Sequence, residues 1–158
     1  MKLLEKILKP EIGYAHCDIP CGIYDPHLAQ VAAHTVIRMV NLINDLPNTN
    51  DQANAHKFSR YTASKEENAE LVKHEIRVIW GDFIKPVHVE QFPEISDLVP
   101  RIMQQASQAR QQVNLEISTQ LLNSVQEFAE IFWKIKGIDA VRVKAPYAGA
   151  GTDLILHK

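Results

Sequence analysis

The chain has 158 residues, 46% of them hydrophobic and 23% charged, with a formal net charge of −2. That length and balance suit one globular domain with a real core, and exclude a fibrous or low-complexity chain. No stretch approaches the run of about eighteen apolar residues a membrane span needs, and interleaved charge signs leave no basic footprint for nucleic acid.

Residues 1–15, MKLLEKILKPEIGYA, interleave Leu3, Leu4, Ile7 and Leu8 with Lys2, Glu5, Lys6 and Lys9. An export signal needs an unbroken apolar stretch of roughly 7–15 residues, which is missing here. Gly13-Tyr14-Ala15 nevertheless resembles a small-x-small cleavage pattern just ahead of His16. The segment reads as a leader without export machinery or, on pattern alone, as a frayed and partly helical N-terminus.

Helices follow. Asp25 is suited to cap the first and Pro26 to open it, with Leu28, Val31, Thr35, Met39, Leu42 and Leu46 on its predicted apolar stripe. Pro47-Asn48-Thr49-Asn50 breaks the pattern. A second stripe runs through Phe58, Tyr61, Lys65, Ala69, Val72, Ile76, Ile79 and Phe83 to Lys85-Pro86. A third helix starts at Ser96 or Asp97 and carries Leu98, Ile102, Ala106, Ala109 and Val113. The fourth runs from about Leu115 through Leu122, Val125, Ala129, Phe132 and Ile135 to Gly137. Four amphipathic helices on short connections predict an all-α, antiparallel four-helix bundle over about 25–136. The remainder, 137–158, reads as an extension, a tail or an inter-subunit arm, with Val141-Arg142-Val143 able to form a short strand and Gly149-Ala150-Gly151 supplying turn material.

The two cysteines lie four apart, Cys17 and Cys21, and the rest of the chain has none. That is too few for a disulfide scaffold and too few for an Fe–S cluster held by four thiolates. They sit in His16-Cys17-Asp18-Ile19-Pro20-Cys21-Gly22-Ile23-Tyr24-Asp25-Pro26. Pro20 turns the chain and Gly22 permits an unusual backbone angle, so Cys21 can fold back beside Cys17. Cleavage after Ala15 would free an α-amine at His16. The amine, the Cys17 backbone nitrogen and two thiolates then form a planar N2S2 set with an imidazole above it, an arrangement that favours Ni(II) or Cu(II) over zinc. A C-x3-C pair read alone is more often a structural thiol pair, a disulfide or part of a zinc site. A non-enzymatic helical bundle therefore stands beside the redox-metal reading.

The hook residues resemble the N-terminal nickel hook of the nickel-dependent superoxide dismutases. Glu70-Leu71-Val72-Lys73-His74, Trp80-Gly81-Asp82-Phe83-Ile84-Lys85-Pro86, Phe92-Pro93-Glu94 and Ile131-Phe132-Trp133 resemble later segments of that family, extending the likeness over roughly residues 16–136. The resemblance implies an enzyme that disproportionates superoxide at a Ni(II)/Ni(III) site, made as a precursor whose 1–15 leader a processing protease removes. It implies a hook at 16–24 on a four-helix bundle, a homohexamer, and a cytoplasmic location. The implied nickel ligands are His16 (α-amine and imidazole), Cys17 (backbone nitrogen and thiolate) and Cys21 (thiolate). Tyr24 and Asp18 match positions lining the substrate entrance, and Lys85 matches a lysine suited to attract an anion. Ala32 and Asn68 stand where family members often carry a glutamate and an arginine that hold the axial imidazole, and Phe83 replaces a familiar tyrosine. The other histidines, 27, 34, 56, 74, 88 and 157, are assigned to surface or core.

Overall fold

The structure is a computed structural model that describes residues 21–47, 51–148 and 153–158. Five helices and a two-stranded sheet follow one another in the chain: α1 (His27–Asn44), α2 (Gln52–Val78), a π-helical turn (Ile79–Phe83), α3 (Pro86–Gln91), α4 (Ile95–Gln111), α5 (Leu115–Ile135), β1 (Ala140–Lys144) and β2 (Asp153–His157). Each of the four long helices packs on two others: α1 lies against α2 and α5, and α4 against the same pair.

Local chemistry sets the helix ends. The Asp25 carboxylate accepts the His27 amide at 2.7 Å, which places the start of α1 one residue beyond the expected Pro26. Asp51 caps α2 by accepting from the Asn54 amide at 2.8 Å, and Asn114 caps α5 by accepting from Ile117 at 3.1 Å. At the other end of α5, Gly137 takes φ +69°, and Ile138 N donates to the Trp133 carbonyl. This left-handed stop lets the last carbonyls find partners.

The core-facing residues of α1 correct the predicted stripe. Ala29, Ala32, Ala33, Val36, Ile37, Val40 and Ile43 are buried, while Leu28 is 55% exposed and Val31, Thr35, Met39 and Leu42 are half-buried. Small and β-branched residues let α1 approach its neighbours closely, so the larger side chains lie to one side. The other expected stripes fit better. Ala69, Val72, Ile76 and Ile79 of the second, Leu98, Ile102, Ala106 and Ala109 of the third, and Leu122, Val125, Ala129 and Phe132 of the fourth are all buried. Lys65, within the α2 stripe, is 1% exposed; its ammonium donates to the Ala109 and Arg110 carbonyls, capping the last turn of α4. Burial pushes the Lys65 ammonium below its ordinary range.

The all-α expectation is amended at the C-terminus. The expected strand exists as β1, and β2 pairs with it antiparallel, with Val141 opposite Leu156 and Val143 opposite Leu154. This hairpin folds onto the chain's own α1 and α5. The Gln30 side-chain amide donates to the Ile155 carbonyl at 2.9 Å and accepts the Ile155 amide at 2.8 Å, satisfying a strand edge as a second strand would. Gln126 donates to the Asp153 carbonyl, and Arg142 bridges Gln126 and Glu130. Leu154 and Ile155 are buried, and the His157 ring lies 4.9 Å from that of Trp133. Beside the hairpin, Val31, Thr35 and Met39 line a cavity of about 290 Å³ with Tyr147. The second apolar side of α1 therefore faces a cavity that it shares with Tyr147 of the tail.

His34 belongs to this seam. Its Nε2 pairs with the Asp153 carbonyl at 3.1 Å, its ring meets Tyr147 edge-on, and burial pushes its pKa below the ordinary value of 6.5. The folded state thus resists a proton that the unfolded chain accepts, so stability falls as pH drops below about 6.5, at up to about 1.4 kcal/mol per pH unit for one proton. Thermal midpoints measured from pH 8 to pH 5 should fall more steeply for the wild type than for His34→Gln.

Candidate metal centre

Of the expected metal ligands, Cys21 lies among the described residues, while His16, Cys17 and the entrance residue Asp18 lie outside them. Cys21 is a free, exposed cysteine whose Sγ accepts the Ile23 amide at 3.5 Å. The next residue, Gly22, has φ +71°, the left-handed turn its lack of a Cβ permits. An exposed thiol, with a backbone N–H directed at its sulfur and a left-handed glycine beside it, suits a thiolate ligand to a soft or borderline metal. No group of three or more His, Cys, Asp or Glu side chains able to hold a metal occurs among the described residues.

Tyr24 anchors the segment to the helical body. Its ring sits 5.5 Å from that of Phe83, which in turn lies 5.1 Å from Phe132 and 5.6 Å from His88. The π-helical turn supplies Phe83: Ile84 N donates to the Ile79 carbonyl, a wider turn that shifts the residues at its end relative to a regular helix. The position expected to lack a tyrosine hydroxyl therefore keeps contact with Tyr24 through ring packing. Lys85 is exposed at the end of this turn; its ammonium donates to the Asp82 carbonyl at 2.9 Å and its amide to His88 Nδ1 at 3.1 Å.

The structure adds Lys136, which sequence reasoning missed. Its ammonium lies 3.4 Å from the Tyr24 carbonyl oxygen and 5.2 Å from the centroid of Phe132. Only its place just before the Gly137 stop could have flagged it, since the partners are 112 residues apart. Ala32 is buried, and Asn68 donates to the Ser64 carbonyl at 2.8 Å, a bond within its own helix.

The nickel-containing superoxide dismutase family matches residues 11–136. The chain belongs to that family. It is similar to the superoxide dismutase [Ni] of Streptomyces seoulensis, with 34% identity over 135 residues that make up 85% of this chain and 98% of the relative. The superoxide dismutase [Ni] of Streptomyces coelicolor is 33% identical over the same shares. Among solved structures, native nickel superoxide dismutase superposes with a TM-score of 0.68 at 34% identity, covering 77% of this chain and 99% of that one. A nickel-containing superoxide dismutase with the nickel ligation of the oxidised state gives a TM-score of 0.69 at the same identity and coverage. The hairpin lies beyond the matched residues.

Proposed function

We propose that this chain is a nickel-dependent superoxide dismutase, an oxidoreductase that converts two superoxide anions and two protons to O2 and H2O2. Its family membership supports the activity and the nickel cofactor. The observation that carries the site is the free Cys21 thiol, set beside the left-handed Gly22 at the root of α1. In this reading the leader 1–15 is removed by a protease. His16 then ligates through its α-amine and imidazole, Cys17 through its backbone nitrogen and thiolate, and Cys21 through its thiolate. The body over 25–136 serves as an antiparallel four-helix bundle that seats the hook 16–24, with 137–158 as an extension.

Nickel in such a site supplies the one-electron couple that alternately oxidises and reduces superoxide. The chain contributes the rest. Anionic donors from Cys17 and Cys21 bring that couple into the useful range. The Tyr24 phenol lines the entrance with Asp18 and orders the water that relays protons. Lys85, exposed in this structure, would raise the local concentration of a small anion at the site despite the net negative chain. Exposed Ile23 and Leu28 near the root of the hook suit burial against further copies, as in a homohexamer. No described helix is long and apolar enough to cross a membrane, which is compatible with a cytoplasmic enzyme.

Mass spectrometry of the mature chain together with metal analysis tests this reading. The expected result is an N-terminus at His16 with about one nickel per chain. An intact leader with zinc, and no superoxide consumption after cleavage, would refute it. One residue added before His16 should abolish activity by displacing the amine; full activity in that variant would rule the amine out as a ligand.

A further inference from the structure

We propose that Lys136 is a positioning residue that clamps the root of the metal hook and thereby tightens nickel binding; this rests on the hook reading above. Lys136 caps α5, its amide held by the Phe132 carbonyl at 3.1 Å, and the left-handed Gly137 follows. Its backbone is thus fixed by the end of a well-packed helix. The half-buried side chain carries its ammonium to 5.2, 5.7 and 6.0 Å from the ring centroids of Phe132, Phe83 and Trp133. Among the described residues no carboxylate lies within ion-pair distance of it.

The rings attract the cation by their quadrupoles. They also shed part of its water, which strengthens what it does with its remaining donor capacity. That capacity is directed at the Tyr24 carbonyl, 3.4 Å away, a charge-assisted contact. Phe83 takes part twice, holding the Tyr24 ring on one side and the ammonium on the other. Tyr24 is therefore gripped at both its side chain and its backbone, three residues after the Cys21 ligand.

Closing a hook of nine residues around a metal costs ordering entropy for every backbone residue fixed. A root already fixed before the metal arrives removes part of that cost from the binding step. Without the clamp the same ligands remain, but they must order more chain to converge. The predicted consequence lies in metal affinity, with little change in the stability of the helical body.

The test uses the full processed chain beginning at His16 and compares wild type, Lys136→Met and Lys136→Arg. Met keeps the apolar stem among the rings and removes the cation; Arg restores a cation that can stack on them. Nickel dissociation constants come from chelator competition, and thermal midpoints from the metal-free proteins. The expected result is nickel binding roughly 10- to 100-fold weaker in Lys136→Met, the range seen for residues that support metal ligands. The metal-free midpoint should be nearly unchanged, and Lys136→Arg should recover most of the affinity. Equal nickel affinity in Lys136→Met and wild type would overturn the proposal while leaving the hook reading intact. A matching collapse of the metal-free midpoint would overturn it in favour of a purely structural role. A wild-type chain that binds no nickel would sink the hook reading, and this proposal with it.

Discussion

Replacing Cys21 with serine abolishes nickel binding and superoxide consumption while leaving the folded body intact. The two halves of that expectation have separate causes. Cys21 supplies one of two soft, anionic donors in the proposed set, and a serine hydroxyl stays protonated at neutral pH and offers the metal no comparable donor. Its side chain is exposed and lies outside the hydrophobic core of the described residues, and its sulfur accepts the Ile23 amide, so the substitution removes no core residue. Exposed substitutions of this kind usually change stability by no more than about 0.5 kcal/mol. Nickel content, superoxide consumption and the metal-free thermal midpoint of Cys21→Ser would all be measured. A variant that still holds stoichiometric nickel and turns over superoxide would remove Cys21 from the ligand set.

The second large effect concerns the tail. Ile155→Ala should destabilise the protein by about 2–4 kcal/mol, the range for truncating a buried aliphatic side chain. Ile155 is 2% exposed, and its backbone exchanges two hydrogen bonds with Gln30 on α1. Deleting 138–158 altogether should cost at least as much, because it uncovers Gln30, His34 and Gln126 together with the apolar surface under Leu154 and Ile155. Denaturant unfolding of both variants checks this. An unchanged midpoint after deletion would mean that the hairpin is not docked on α1 and α5 in solution. Because α1 also carries the hook at its start, the deletion should lower the temperature at which nickel is retained.

The long helices were legible because their signals are local. The break at Pro47-Asn48-Thr49-Asn50, the stop at Gly137 and the repeat of apolar residues each act within a few positions, and their effect survives whatever the rest of the chain does. That Gly22 takes an unusual backbone angle was legible for the same reason, and its value, φ +71°, is left-handed. The apolar side of α1 was misread because that helix has two: Ala and β-branched residues face the other helices, and Val31, Thr35 and Met39 face the cavity beside Tyr147. Periodicity can report that a helix is apolar on several sides, but it does not say which side meets which partner. The strand β2 escaped notice because its burial depends on Gln30 and Gln126, polar residues that look solvent-facing until a strand edge arrives to use them.

The candidate site divides along the same line. The sequence by itself determined the family and the types and spacing of the proposed donors, because side-chain chemistry and spacing are properties of a few adjacent residues. Only the tertiary structure brought Tyr24, Phe83, Phe132 and Lys136 into one cluster, since they come from the root of the hook, the π-helical turn and the end of α5. Contacts between residues so far apart in the chain form through the packing of whole helices, and that packing is a sum over the entire core with no signature in any short stretch.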